Sequence, residues 1–139
     1  MLRVVDANVV FSSLIRKGKP LRVFELNDIF KRFEFISSEY LFTEIGRRFD
    51  KVLKITDFSK EELSHVFSLI KNQINLMPTE TFEDKLDEAI EKAPHDKDAP
   101  YVALSLKLDC KIFSGDKGLK KTLPNKVENP SEVLDILLA

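Results

Sequence analysis

Leu2-Arg3-Val4-Val5-Asp6-Ala7-Asn8 is the stretch on which the reading of this chain turns. Leu2 to Val5 reads as a short buried strand, interrupted only by Arg3, and it ends on a carboxylate. In an open α/β sheet, ligands and chemistry gather outside the carboxyl ends of the strands. Asp6 therefore falls where a metal or phosphate site would be built. Asn8 is placed to cap a helix starting near Val9, because its side-chain oxygen can accept from the first free amides. Taken alone, Asp6 reads equally well as a second capping group. The choice depends on whether other carboxylates reach the same edge.

Working outward, four more strand-like runs follow: Phe33–Ile36, Ile74–Met77 closed by Pro78, Cys110–Phe113 and Lys126–Asn129. Helical patterns separate them. Val9 to Ile15 stops before Gly18, which suits a helix C-terminus, and Pro20 suits the first turn of the next helix, which runs to about Lys31. Ser37 or Ser38 caps a long helix reaching Ile55, and Ser59 with Glu62 forms a capping box ahead of Leu63, Val66, Phe67 and Ile70. A short polar helix spans Lys85 to Lys92, Pro100 fixes a helix start near Asp98, and Pro130 opens the last helix. Strands alternating with helices argue for a single-domain, three-layer α/β/α sandwich over residues 1–139 with a parallel sheet.

Composition narrows the function classes. At 139 residues, 43% apolar and 32% charged, this is a globular chain with room for one core. Its single Cys110 has no partner for an internal disulfide, and two His with one Cys make a structural zinc site improbable. No apolar run approaches the roughly 20 residues that span a bilayer, and no signal-peptide pattern opens the chain, so the expectation is a soluble cytoplasmic protein without a membrane partner. The net charge of −1 offers no general pull on nucleic acid. Cations nevertheless cluster at Arg47, Arg48, Lys51 and Lys54, and again at Lys117, Lys120 and Lys121; such clusters are usually solvated faces unless a site lies beside them.

Acids recur at the same kind of place. Glu44 sits at the edge of a helical stripe formed by Leu41, Ile45 and Phe49, where an ion pair with Arg48 four residues on is the commoner role. Asp96 and Asp98 precede a helix; capping explains one of them and leaves the other. Asp116 follows a strand directly in Ser114-Gly115-Asp116. Three or four carboxylates at one rim would raise one another's pKa values unless a cation joined them. Hard oxygen ligands without cysteine point to Mg²⁺ or Mn²⁺, and such an ion suits phosphodiester cleavage.

Val4-Val5-Asp6-Ala7-Asn8, Thr43-Glu44-Ile45, Asp98-Ala99 with Ala103, and Ser114-Gly115-Asp116 resemble, in order and spacing, the four acidic motifs of PIN-domain ribonucleases. The resemblance covers nearly the whole chain. It implies a PIN-like fold and a metal-dependent endoribonuclease, with Asp6, Glu44, Asp98 and Asp116 as the acidic tetrad and Asp6, Asp98 and Asp116 on Mg²⁺ or Mn²⁺. Ser114, where Thr is commoner, matches a residue that orients the first carboxylate; Asn8 matches a polar position after it, and Asp96 a frequent extra acid. Pro100 departs from the pattern by stiffening the third motif. Many small members are VapC-like toxins held by an antitoxin, and others process RNA.

With RNA as substrate, Arg47, Arg48, Lys117 and Lys120 would contact phosphates without reading bases. A homodimer is expected, because stand-alone members of this size usually pair and twofold symmetry is the commonest assembly. Two other readings compete: a non-catalytic PIN-like module that binds RNA or protein, and a receiver-like signalling domain. The second needs an Asp after the third strand, where this chain has Met77-Pro78.

Overall fold

The computed structural model describes residues 1–139, and Leu2–Val5 forms the middle strand, β1, of a sheet whose every pairing is parallel. To one side lie β2 (Glu34–Ser38) and β3 (Ile74–Met77), and to the other β4 (Lys111–Phe113) and β5 (Val127–Glu128), in the order β3-β2-β1-β4-β5. Val4 stands in register with Ile36 on one side and Ile112 on the other. Both Val4 and Val5 are fully buried, as a strand covered on both faces requires. Arg3, the one charged residue of the strand, donates from Nε to Glu128 Oε1 at 2.6 Å and stacks on the Phe33 ring.

The helices are α1 (Ala7–Ile15), α2 (Lys19–Phe30), α3 (Leu41–Arg47), α4 (Phe49–Ile55), α5 (Lys60–Lys71), α6 (Leu86–Lys92), α7 (Ala99–Leu108), α8 (Lys117–Thr122) and α9 (Pro130–Leu138). They complete the α/β sandwich. One group, α1, α2, α5 and α9, packs together, while α7 lies against β1, β2 and β4 with α6 alongside it. Ala99, Ala103 and Ser105 are buried on α7, and such small side chains let a helix approach a sheet closely. The core is dense in phenylalanine: Phe24 meets Phe35 edge-on with centroids 5.4 Å apart, and Phe113 lies 5.9 Å from each. Truncating any of these rings to Ala should cost about 3–5 kcal/mol.

Several boundaries differ from the sequence expectation. Ser37 and Ser38 do not cap a helix; they are the buried last residues of β2, and Ser37 Oγ donates to Val5 O at 2.7 Å. The long helix beyond them is two, broken at Arg48, whose φ of −111° and ψ of 8° leave the helical region and whose amide reaches back only to Ile45 O. Gly46 just upstream supplies the weak point. Gly18 begins α2 instead of ending α1. Asn8 is not a cap, since α1 starts at Ala7 and Asp6 holds the N-cap position.

The strand order reverses beside β1: the chain moves outward through β2 and β3, then returns to add β4 and β5 on the far side. The crevice between the carboxyl ends of β1 and β4 is therefore where a doubly wound sheet places its site.

Candidate active site

Asp6 leaves β1 into that crevice, where its amide donates to Phe113 O at 3.1 Å. Its carboxylate is 5% exposed. Ser114, directly after β4, donates from Oγ to Asp6 Oδ2 at 2.7 Å and accepts from the Asp116 amide at 3.0 Å, so one hydroxyl fixes two acids relative to each other. Asp116 in turn caps α8, with Oδ1 accepting from the Leu119 amide at 3.1 Å. Asn8 reaches across from the first turn of α1, and its Oδ1 accepts from the Gly115 amide at 3.0 Å. A Cβ on Gly115 would lie 2.6 Å from that oxygen, so any larger residue there would push the Asn8 side chain out of this bond.

Asp98 arrives from the other side, at the N-cap of α7 after a short 3₁₀ turn over Asp96–Asp98. It is buried, and its Oδ2 has no hydrogen-bond partner. Glu44, in the first turn of α3, accepts at Oε1 from the Tyr101 hydroxyl at 3.0 Å. All four acids and Tyr101 line one cavity of about 280 Å³. Asp96 is exposed and lies outside that lining.

The electrostatics record the crowding. Burial pushes the Asp6 carboxyl up to about 6, opposed by the Ser114 hydrogen bond and reinforced by the charges of Asp98 and Asp116. Asp98 is raised as well, by burial and then by Asp116, with Lys97 and His95 pulling the other way and Glu44 adding to the rise. Burial and the nearby acids hold the Tyr101 phenol far above its ordinary value, so it is a permanent donor.

Carboxylates in this state fit a hard divalent cation. Asp98 Oδ2 is a buried acceptor with nothing donating to it, and a cation among three mutually repelling acids would offset the burial and the repulsion together. No three His, Cys, Asp or Glu side chains are already drawn into a closed cage. The acids instead remain apart around an open cavity, as like charges do.

The lining also includes Phe11 and Ile15 of α1 and Val52 and Ile55 of α4, with Lys51 on α4; Lys97 lies next to Asp98. Arg48 also lines the cavity, its guanidinium 5.4 Å from the centre of the Phe11 ring, and it forms no ion pair with Glu44. The other cations singled out in the sequence are placed elsewhere. Arg47 and Lys117 are exposed and outside the lining. Lys120 points away, its Nζ donating to Val127 O at 2.7 Å and pairing with Glu132 at 2.9 Å.

Sequence reasoning missed Tyr101, Lys97 and Phe11, and it named Lys51 only as one of a cluster of cations. Tyr101 had a usable signal, since it lies three residues after Asp98 and so shares its face of α7.

The sequence matches the PIN domain family over residues 4–128, a span that contains every one of these acids, and the chain belongs to that family. The PIN domain is in general a nuclease fold that uses divalent metal ions and acts on RNA. No curated protein matches the sequence. No helix is long and apolar enough to cross a membrane.

Proposed function

We propose that the protein is a Mg²⁺- or Mn²⁺-dependent endoribonuclease that hydrolyses RNA phosphodiester bonds. The observation that carries this reading is that Asp98, whose Oδ2 is buried and unpartnered, lines the same cavity as Asp6 and Asp116. Asp6, Asp98 and Asp116 would hold the ion, with Glu44 at the rim. A divalent ion there supplies charge neutralisation at the scissile phosphate and a water nucleophile at neutral pH.

The chain's own residues supply position. Ser114 fixes one oxygen of Asp6, and the α8 cap fixes one oxygen of Asp116. Tyr101 fixes one oxygen of Glu44. Lys51 and Lys97 beside the cavity would hold flanking phosphates. Water adds to phosphorus, the P–O3′ bond breaks, and the products carry a 5′-phosphate and a 3′-hydroxyl.

The decisive experiment incubates purified protein with RNA in Mn²⁺ or Mg²⁺, with and without chelator, and identifies the new ends. Parent protein inactive with both ions, or an Asp98→Asn variant as active as the parent, overturns the reading.

A toxin role with an antitoxin partner is the cellular setting we favour, on the strength of family and size, within the cytoplasm. Growth arrest on expression, relieved by a neighbouring gene product, would support it. A homodimer is proposed with it; Ile29 and Phe30 at the end of α2 are exposed apolar residues that a twofold contact could cover. A monomer mass by light scattering counts against that assembly.

A further inference from the structure

We infer that the apolar part of the cavity is a stacking subsite for one nucleobase of the substrate, with the Arg48 guanidinium plane, held over Phe11, as its platform. This rests on the nuclease reading and adds a specificity-determining pair to it.

The cavity is chemically divided. The acids and a phenol lie where α1, α3 and α7 begin, while further along α1 and on α4 the lining is Phe11, Ile15, Val52 and Ile55, with Ser12 and Lys51 among them. Metal and phosphate chemistry has no use for that apolar part. Two helices build it deliberately: Phe11 and Ile15 are four apart on α1, while Arg48, Val52 and Ile55 follow at intervals of four and three, so each set presents one face.

Arg48 is the telling residue. It is exposed, forms no ion pair, and stands at the break between α3 and α4, with its guanidinium 5.4 Å from the Phe11 ring centre. A guanidinium is planar and weakly hydrated, and one held against a ring on one face keeps its other face for a second π-system. The molecule that fits such a cavity is flat and apolar at one end and anionic at the other. Its anion must tolerate carboxylates through a shared cation while Lys51 and Lys97 attract it. A nucleotide unit has that form. An apolar peptide side chain would fill the wall but bring no anion to the acids. Unstacked bases are commonly received on aromatic rings and guanidinium planes.

The test measures binding of a short 5′-labelled oligoadenylate in Ca²⁺, which occupies acids without supporting turnover, and compares it with the same strand carrying an abasic nucleotide scanned along it. Two variants are used. Phe11→Leu keeps apolar volume without the ring, and Arg48→Lys keeps the charge without the plane. Because stacking contributes on the order of tenfold in affinity per base, each variant should bind the intact strand about tenfold more weakly. The slope of log affinity against log salt should stay unchanged, because no phosphate contact is lost. An abasic nucleotide at one position should weaken the parent by the same factor and the variants no further.

Variants that bind the intact strand like the parent overturn the subsite. So does an Arg48→Lys loss that persists undiminished on every abasic strand, which would place Arg48 on the backbone. Should Phe11→Leu not fold, the exposed Arg48 position still decides. Parent protein that binds no RNA in Ca²⁺ removes the nuclease reading and the subsite together, whereas binding that Phe11→Leu and Arg48→Lys leave untouched removes the subsite alone.

Discussion

The Tyr101 hydroxyl donates to Glu44 Oε1 at 3.0 Å and so ties α7 to α3 across the acidic cavity. Tyr101 is buried and Glu44 half-buried, and the phenol cannot ionise in any ordinary buffer, so the bond persists over the whole working pH range. Tyr101→Phe removes the donor and nothing else. We expect about 1 kcal/mol of lost stability, read as a fall of about 3 °C in Tm. Mn²⁺ affinity measured by calorimetry should weaken too, because Glu44 is then free to swing. Unchanged Tm and Mn²⁺ affinity would mean that water replaces the hydroxyl without loss.

Asp6→Asn separates function from stability. In metal-free protein the Asp6 carboxyl is raised from 3.8 to about 6. The folded state therefore holds that proton more tightly than the unfolded chain does. The resulting stabilisation is complete below about pH 4 and is lost as pH rises through 6. Asn cannot ionise, so in chelator the variant should be the more stable protein at pH 7 and above, by at most about 3 kcal/mol. The gap should close below pH 4. RNA cleavage should be abolished. Denaturant melts across this pH range check the first claim, and a variant less stable than the parent at pH 8 contradicts it.

Gly115→Ala tests the cradle between α1 and the β4 turn. The new Cβ meets the Asn8 side-chain oxygen at 2.6 Å, and Asn8 must withdraw from the bond it accepts from the Gly115 amide. Asn8 is a flexible side chain, so the fold survives at a cost of about 1 kcal/mol. The turn that carries Asp116 loosens, and activity should fall by more than stability does. Asn8→Ala should reproduce the activity loss, and activity at the parent's level in both variants would show that the cradle does not position Asp116.

Lys120→Ala should behave as a structural change. Its ammonium is already held by Val127 O and Glu132. The pair is only partly buried, so less than about 1 kcal/mol is at stake. RNA affinity and its salt dependence should match the parent, whereas Lys51→Ala and Lys97→Ala should each lower the salt slope by about 0.7 on a single strand. A slope lowered by Lys120→Ala would return that residue to the RNA path.

What the sequence disclosed follows physical lines. Ile74–Met77 is legible to the residue because Pro78 can neither donate nor continue the ladder. Asp98 ahead of Pro100 marks the start of α7 for the same kind of reason. Ser37 and Ser38 misled because a buried serine bonded to backbone looks, in sequence, like a cap. Asn8 misled likewise: its partner, Gly115, is 107 residues away, and no local pattern can announce it. The acids were visible one by one as strand-end or helix-start residues. The bonds that steady them, from Ser114 to Asp6 and from Tyr101 to Glu44, cross between elements, and only the first was anticipated, through the family resemblance. The cations were the least legible, since an exposed Lys or Arg carries no periodic signal of what it faces. Lys51 and Lys97 line the cavity, and Lys120 does not.

The sheet order has a consequence for the order of events during synthesis. Asp6 emerges from the ribosome well ahead of Ser114, which holds it and is 108 residues behind, and β1 waits as long for β4. At about 5–20 residues per second, the chain spends many seconds with Asp6 outside the tunnel and Asp116 not yet made. No shorter N-terminal piece can assemble the acids, because two of them, Asp98 and Asp116, enter with the last third of the sequence. The proposed cleavage site is thus incomplete while the chain is surrounded by its own messenger and by ribosomal RNA, and is assembled only once β4 closes the sheet.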